Sequence, residues 1–233
     1  DYDNDNDLDV YLLENDLDGT YPNEFRPIRK DGSWPNTDKL LQNNWDPSLG
    51  HPVFTDVSAQ AGILIEGHGL GVNIADINQD GWKDIYVSND YLSNNILYIN
   101  NGNGTFTDVS KEAGIDALCF GSPAFWWDYD NDGWLDIAQF SWSDHEDVLY
   151  TLEHGEGPRD GNPLRVYHNN RNGTFTEVGR EIGFIGCYGT MSGNAGDFNN
   201  DGYLDVVLGN GSPKMDRMEP MILLENNGGT FQN

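Results

Sequence analysis

Asp128-Tyr-Asp130-Asn-Asp132-Gly133-Trp-Leu-Asp136 sets carboxylates at positions 1, 3, 5 and 9 of a nine-residue loop, with a glycine at position 6. Alternate residues of a tight loop turn their oxygens toward one point. Gly133 lets the backbone bend with positive φ, so a hard divalent cation can collect several oxygen ligands there, and calcium suits that donor set best. The pattern occurs three more times: Asp1-Tyr-Asp3-Asn-Asp5-Asn6-Asp7-Leu-Asp9, Asp76-Ile-Asn78-Gln-Asp80-Gly81-Trp82-Lys-Asp84 and Asp197-Phe-Asn199-Asn-Asp201-Gly202-Tyr203-Leu-Asp205. Asn78 and Asn199 keep an oxygen at position 3 and drop one charge. Asn6 replaces the glycine, and Asn is the next residue best able to enter the left-handed region. One Ca²⁺ per loop, about four in all, is the expectation.

An EF-hand would require a bidentate Glu at the twelfth position between two helices. Those positions hold Leu12, Val87, Gln139 and Leu208, and the flanks read as strands, which excludes EF-hands and dockerin-like helical loops. The plainer alternative is a set of Asx-rich turns without metal. Fifteen carboxylates within these four nine-residue loops would, however, repel one another without a cation.

The chain has 233 residues, 39 of them acidic against 12 Lys and Arg, and a formal charge of −27 that four Ca²⁺ would reduce to −19. Such a surface disfavours nucleic acid and anionic membranes, and no basic stripe argues otherwise. Recurrent aromatic and β-branched residues argue against disorder. No signal peptide or membrane span is visible, and the chain opens inside a repeat, which leaves room for a leader upstream. Loops of this strength suit a compartment with roughly millimolar Ca²⁺, so an extracellular, periplasmic or cell-surface location is expected.

A second signature marks the other half of each unit: Phe54-Thr-Asp-Val57, Phe106-Thr-Asp-Val109, Phe175-Thr-Glu-Val178 and a truncated Phe231. Each of the first three phenylalanines stands 22 residues before the first Asp of the next loop, with Gly62, Gly114 or Gly183 at the eighth residue after it. This predicts a strand, one helical turn ended by a glycine cap, and a strand entering the loop. Each loop then opens into an apolar run (Val10-Leu13, Ile85-Val87, Ile137-Ala138, Val206-Leu208), which indicates strands buried on both faces. Further strands around Leu40-Leu41, Leu97-Asn101, Val166-Asn170 and Leu223-Asn227 return through Asn-Gly-Thr or Gly-Gly-Thr hairpins.

The predicted unit is therefore four strands, A–loop–B–C–turn–D, at a propeller-blade period. The fold class is all-β: a β-propeller of four-stranded blades with cation-binding A–B loops. Residues 1–233 read as one propeller region, with a partial blade at 1–58 and further blades at 67–110, 119–179 and 187–233. The broken first blade suggests a slice of a larger ring of roughly six to eight blades, completed by further sequence or another copy, because closure removes sheet edges.

These motifs resemble FG-GAP/VCBS repeats, the blades of integrin-α-like propellers. Ile85-Tyr-Val-Ser-Asn-Asp90 and Leu97-Tyr-Ile-Asn-Asn101 look closest to the cartilage-acidic-protein/UnbV (ASPIC) group. The resemblance covers essentially the whole chain, although the ASPIC/UnbV segment has no counterpart. It implies a calcium-stabilised extracellular or cell-envelope propeller used in binding or adhesion, and in some members in sugar binding. It places the ligands on the four loops, with Asp7, Trp82, Trp134 and Tyr203 at position 7 supplying backbone oxygens.

In this strand order the long insertions 15–38, 143–162 and 211–220 all fall between strands B and C, on the face opposite the loops. Variable loops on a rigid scaffold are where binding usually resides. Candidate contacts are Asn89, Asp90, Trp142, Asp144 and His145, with Asn15, Asp16, Trp34, His154, Arg159 and Lys214 nearby. Exposed Trp beside Asn and Asp suits a sugar ring. The alternative is that these segments only cover the blade tops.

His68, Cys119 and Cys187 stand 14, 13 and 12 residues after their phenylalanines. A Cys119–Cys187 disulfide, two buried thiols, or a His/Cys metal or reactive centre all fit that spacing. No G-x-S-x-G, H-E-x-x-H, C-x-x-C or phosphate loop occurs. Three function classes follow: a non-catalytic module for glycan or extracellular protein, a polysaccharide lyase or dehydratase using His145 or the His/Cys group, and a structural surface scaffold.

Overall fold

A computed structural model describes residues 1–17, 26–91, 93–117, 121–212 and 218–233. Two compact units divide the chain, Asp1–Leu118 and Cys119–Asn233. The first carries a three-stranded sheet, β1 (Val10–Leu12), β2 (Lys39–Asp46) and β3 (His51–Asp56), and a four-stranded sheet, β4 (Gly69–Ala75), β5 (Asp84–Asn89), β6 (Ile96–Asn100) and β7 (Phe106–Asp108). The second carries β8 (Gly121–Trp127), β9 (Asp136–Ser141), β10 (Arg165–Asn169) and β11 (Phe175–Glu177), then β12 (Thr190–Gly196), β13 (Asp205–Asn210), β14 (Ile222–Asn226) and β15 (Phe231–Gln232). Every sheet is an antiparallel meander in chain order, so each is a propeller blade and the first lacks its A strand.

The strands that follow the loops are the most buried. All six residues of β5 and all six of β9 are shielded, as their continuous apolar runs require. Residues on β8, β9, β10, β13 and β14 form the second unit's core, closed by Trp127, Phe184 and Phe231 with ring centroids 5.2–5.9 Å apart. The first unit's core joins Leu40, Ile63, Val87, Tyr98 and Phe106.

The glycine cap recurs in all three complete repeats. After β3, the short helix α1 (Ser58–Ala61) ends at Gly62 in the left-handed conformation, and the same backbone bonds recur around Gly114 (Ala113 N to Val109 O, Ile115 N to Ser110 O). Two constraints demand glycine. Besides positive φ, a Cβ on Gly62 would lie 3.0 Å from the Phe106 carbonyl oxygen, and one on Gly183 would lie 2.4 Å from that of Phe231. The cap is thus where one blade's turn abuts the next blade's outer strand, and the Phe231 amide donates to the Ile182 carbonyl there at 2.6 Å.

One insertion departs from the expected loop. Residues 145–154 form helix α2 (His145–His154), whose N-cap Asp144 accepts from the Asp147 amide and whose C-cap is Gly155 at positive φ. The cap residue, Glu146 and Asp147 in the first turn, and the terminal glycine are ordinary helix signals. They were masked by reading the whole segment as a blade-top loop.

Candidate metal centres

Backbone donors build each loop before any ion is considered. In three copies the position-1 carboxylate (Asp76, Asp128, Asp197) accepts from the amides of positions 5 and 6 at 2.9–3.0 Å, while position 5 accepts from the amide of position 7 in all four. Position 6 is left-handed throughout: φ is 75° at Asn6 and 88–93° at Gly81, Gly133 and Gly202. Asn6 therefore does the glycine's work. Position 4 is left-handed too (Asn4, Gln79, Asn131, Asn200), and its Asn content was the legible but unread signal.

Position 9 ties the loop to the sheet. Each of Asp9, Asp84, Asp136 and Asp205 accepts from the position-2 amide and from an amide on strand C, at Asn43, Asn100, Asn169 or Asn226. The Asn side chains complete the joint. Asn100 donates to the carbonyls of Lys83 and Tyr2, and Asn226 to those of Leu204 and Tyr129, so each also reaches the preceding blade's loop. In return Asn4 donates to the Gly81 carbonyl and Asn131 to that of Gly202. Loops within one unit are paired by reciprocal bonds. Desolvation raises the Asp84 carboxyl to about 6 and that of Asp136 to about 7, against the pull of those amides.

The donor oxygens fit a calcium ion where the carboxylates are densest. Asp1, Asp3 and Asp5 each offer an oxygen within 4.8 Å of the others, as do Asp128, Asp130 and Asp132. In the first loop one oxygen each of Asp1, Asp3 and Asp7 is shielded from solvent with no hydrogen-bond donor. Shielded, unpaired carboxylate oxygens are costly, and a cation removes that cost. In the other two loops the position-3 amide intervenes: Asn78 donates to Asp80 at 2.9 Å and Asn199 to Asp201 at 3.0 Å.

Strand C supplies one further neighbour to three of the loops. Gln42 donates to Asp3 at 2.7 Å, Glu225 accepts from Asn199 at 3.2 Å, and His168 Nδ1 lies 3.6 Å from Asp130 and 3.3 Å from Asp136; Ile99 holds the same register in the second blade. Arg171 adds a guanidinium on Asp132. Desolvation opposes it, but that bond holds Asp132 below the usual carboxylate range.

The predicted contacts of the B–C segments are divided between the two units, Asn89 and Asp90 in the first and Trp142, Asp144 and His145 in the second. Asn89 is buried, and its side-chain amide donates to the Asn94 carbonyl. Trp142 is half-buried, with its backbone bridged to Gly189, and Asp144 is occupied as a helix cap. Asp90 is half-buried and accepts from the Tyr91 amide, while His145 is exposed at the start of α2. Trp34 is stacked by Arg29 and Arg26 at 4.0 and 5.0 Å, and Arg26 is held by the buried Glu66. Lys214 and Cys119 lie outside the described residues. Apolar side chains on α2 that the sequence reading passed over, Leu149, Tyr150 and Leu152, are 40–51% exposed.

Cys187 is a buried free thiol, pushed up to about 11 by burial and far from a nucleophile's range. His68 sits in the other unit between Asn36 and Ser93. The Asn36 amide makes Nε2 the acceptor, so a neutral ring protonated on Nδ1 satisfies both contacts, and burial lowers its pKa.

Four antiparallel blades whose A–B loops gather acidic oxygens define a repeat protein of the propeller class. The model of the FG-GAP-like repeat matches residues 76–138 and 144–208, more than half of the chain, and the chain belongs to that family. It is similar to cartilage acidic protein 1 of Mus musculus (27% identical, over 81% of this chain and 35% of the relative) and of Homo sapiens (26%, over 81% and 34%). Cartilage acidic protein 1 of Xenopus tropicalis is 30% identical over 41% of the chain. The chain spans about a third of the length of the first two.

Proposed function

We propose that the chain is a calcium-stabilised extracellular or cell-surface propeller segment that binds glycan or protein ligands and carries out no catalysis. The shielded, donor-free oxygens of Asp1, Asp3 and Asp7 carry the calcium reading. Asp1, Asp3, Asp5 and Asp9, with their counterparts in the other three loops, hold the ions, which neutralise the charge and lock each loop to its blade. The relationship to cartilage acidic protein 1 supports an extracellular setting.

Binding is assigned to the B–C face, at the exposed surface of α2. Leu149, Tyr150 and Leu152 offer apolar area there, and Tyr150 stacks on His154 at 4.1 Å. The four blades are assigned to one propeller region that further blades extend. Phe54 is 45% exposed, whereas its counterparts Phe106, Phe175 and Phe231 are 6–7% exposed. Phe106 is covered by Tyr2 of the preceding blade, and Phe54 awaits the same cover.

An array of glycans and extracellular-matrix proteins, probed with calcium, with EDTA and with Leu149→Asp, tests the reading. Binding that needs calcium and is lost in Leu149→Asp is expected. A silent array, or binding indifferent to both, contradicts it.

A further inference from the structure

The third loop differs from the others by two basic side chains. His168 stands where the other blades carry Gln42, Ile99 and Glu225, and Arg171 stands where the second and fourth hairpins carry Gly102 and Gly228. Both face aspartates. Arg171 occupies Asp132, removing part of the all-oxygen set that a calcium ion would use. His168 aims at two carboxylates, and its Nδ1 is shielded from solvent without a hydrogen-bond partner.

We propose that the third loop is the exception to the calcium reading: His168 Nδ1, Asp130 and Asp136 form a mixed nitrogen–oxygen site for a first-row divalent ion of the zinc type, in a protein whose other loops offer oxygen alone. One ligand atom from each of the three lies within 4.8 Å of the other two. Of the separations from Nδ1, the 3.3 Å to Asp136 falls on the edge length of a coordination polyhedron and the 3.6 Å to Asp130 lies just beyond it. Ligands about 2.1 Å from a zinc-type ion at tetrahedral or octahedral angles stand roughly 3.0–3.4 Å apart. Asp136 is fully buried and fixed by the amides of Tyr129 and Asn169, and the Tyr129 ring meets the imidazole edge-on at 6.0 Å, so two ligands are held in place beforehand. An imidazole nitrogen favours zinc-type ions over calcium, which takes oxygen. The alternative role, a protonated imidazole serving as counter-ion to the two aspartates, predicts no metal.

The inference rests on reading the loops as cation sites, and its test separates the two. Full-chain protein is stripped, saturated with calcium, and titrated calorimetrically with ZnCl₂; Co²⁺ serves as an absorbance probe. The wild type should take up one Zn²⁺ per chain, and Co²⁺ should give a visible band that Zn²⁺ abolishes. His168→Gln copies Gln42 of the first blade and so keeps a side chain the register accepts. It should weaken the zinc isotherm about tenfold or more while the calcium isotherm of the other loops is retained. Circular dichroism of His168→Gln checks that the sheet is intact, and Asp130→Asn should lose the cobalt band as well. No zinc uptake by the wild type, or equal uptake by His168→Gln, overturns the site even where calcium binds. Absence of calcium binding overturns the parent reading instead.

Discussion

The first and third loops each draw three carboxylates together, while the second and fourth place an asparagine among theirs. In the latter pair the Asn78 and Asn199 amides donate to the neighbouring aspartate and do locally what a cation would do. In the first loop shielded oxygens are left without donors, and in the third Arg171 supplies positive charge while His168 brings a ring nitrogen to Asp130 and Asp136. The backbone course is nonetheless shared, with position 6 left-handed and position 9 clamped in all four. The scaffold and the demand for an ion are thus partly separable: position 9 clamps the fold as well as serving the ion, and positions 1, 3 and 5 add most of the charge.

That separation is broken most severely at position 9. Asp84→Ala removes the carboxylate that accepts from the shielded amides of Ile77 and Asn100, at about 1–3 kcal/mol each. Urea denaturation should show a loss of about 3–5 kcal/mol that persists with and without calcium; a loss seen only with calcium would make this residue chiefly a ligand.

A carboxylate remote from the loops gives the next effect and acts as a control. Burial raises Asp38 to about 6, against bonds from the Glu14 amide and Tyr11 hydroxyl. Between the unfolded value of about 3.9 and about 6 the folded chain holds a proton that the unfolded chain lacks, so this group's contribution to stability falls as pH rises through that window. The stability difference between wild type and Asp38→Asn should change by about 2 kcal/mol from pH 4 to pH 7, in calcium or EDTA alike. A constant difference would contradict it.

Exchanging the position-3 residues sharpens the contrast. Asn78→Asp should destabilise the stripped protein by about 1 kcal/mol, through the lost amide bond and added repulsion, and tighten calcium binding in that loop. Asp3→Asn should do the reverse. Calorimetry with paired melts checks both signs, and equal behaviour of the two variants would dissolve the distinction. The smallest change is expected for Gly81→Asn. It copies Asn6 at a left-handed position with open space around it, so less than about 1 kcal/mol should be lost.

The blades and their loops were legible because each residue reports a backbone need. The 22-residue spacing, the glycine cap and the apolar runs recur because blades within each unit meet in the same way. Less was legible where one residue serves two elements. Asn100 and Asn226 read as strand ends, yet they fasten position 9 of their own loop and the preceding blade's position 2. The insertions repeat nowhere, so helix α2 and the burial of Asn89 could not be inferred by comparing blades. His168 lies within the strand expected from Val166 to Asn170, and only the fold places it against Asp130 and Asp136.

The central claim is that these aspartates are arranged for calcium. Calorimetric titration of CaCl₂ into EDTA-stripped protein, with a melt before and after, tests it most directly. Binding to several sites is expected, together with a stabilisation of about 2.7 kcal/mol for each site held at a hundredfold excess over its Kd. A flat thermogram and an unchanged melting temperature at millimolar calcium would contradict the account.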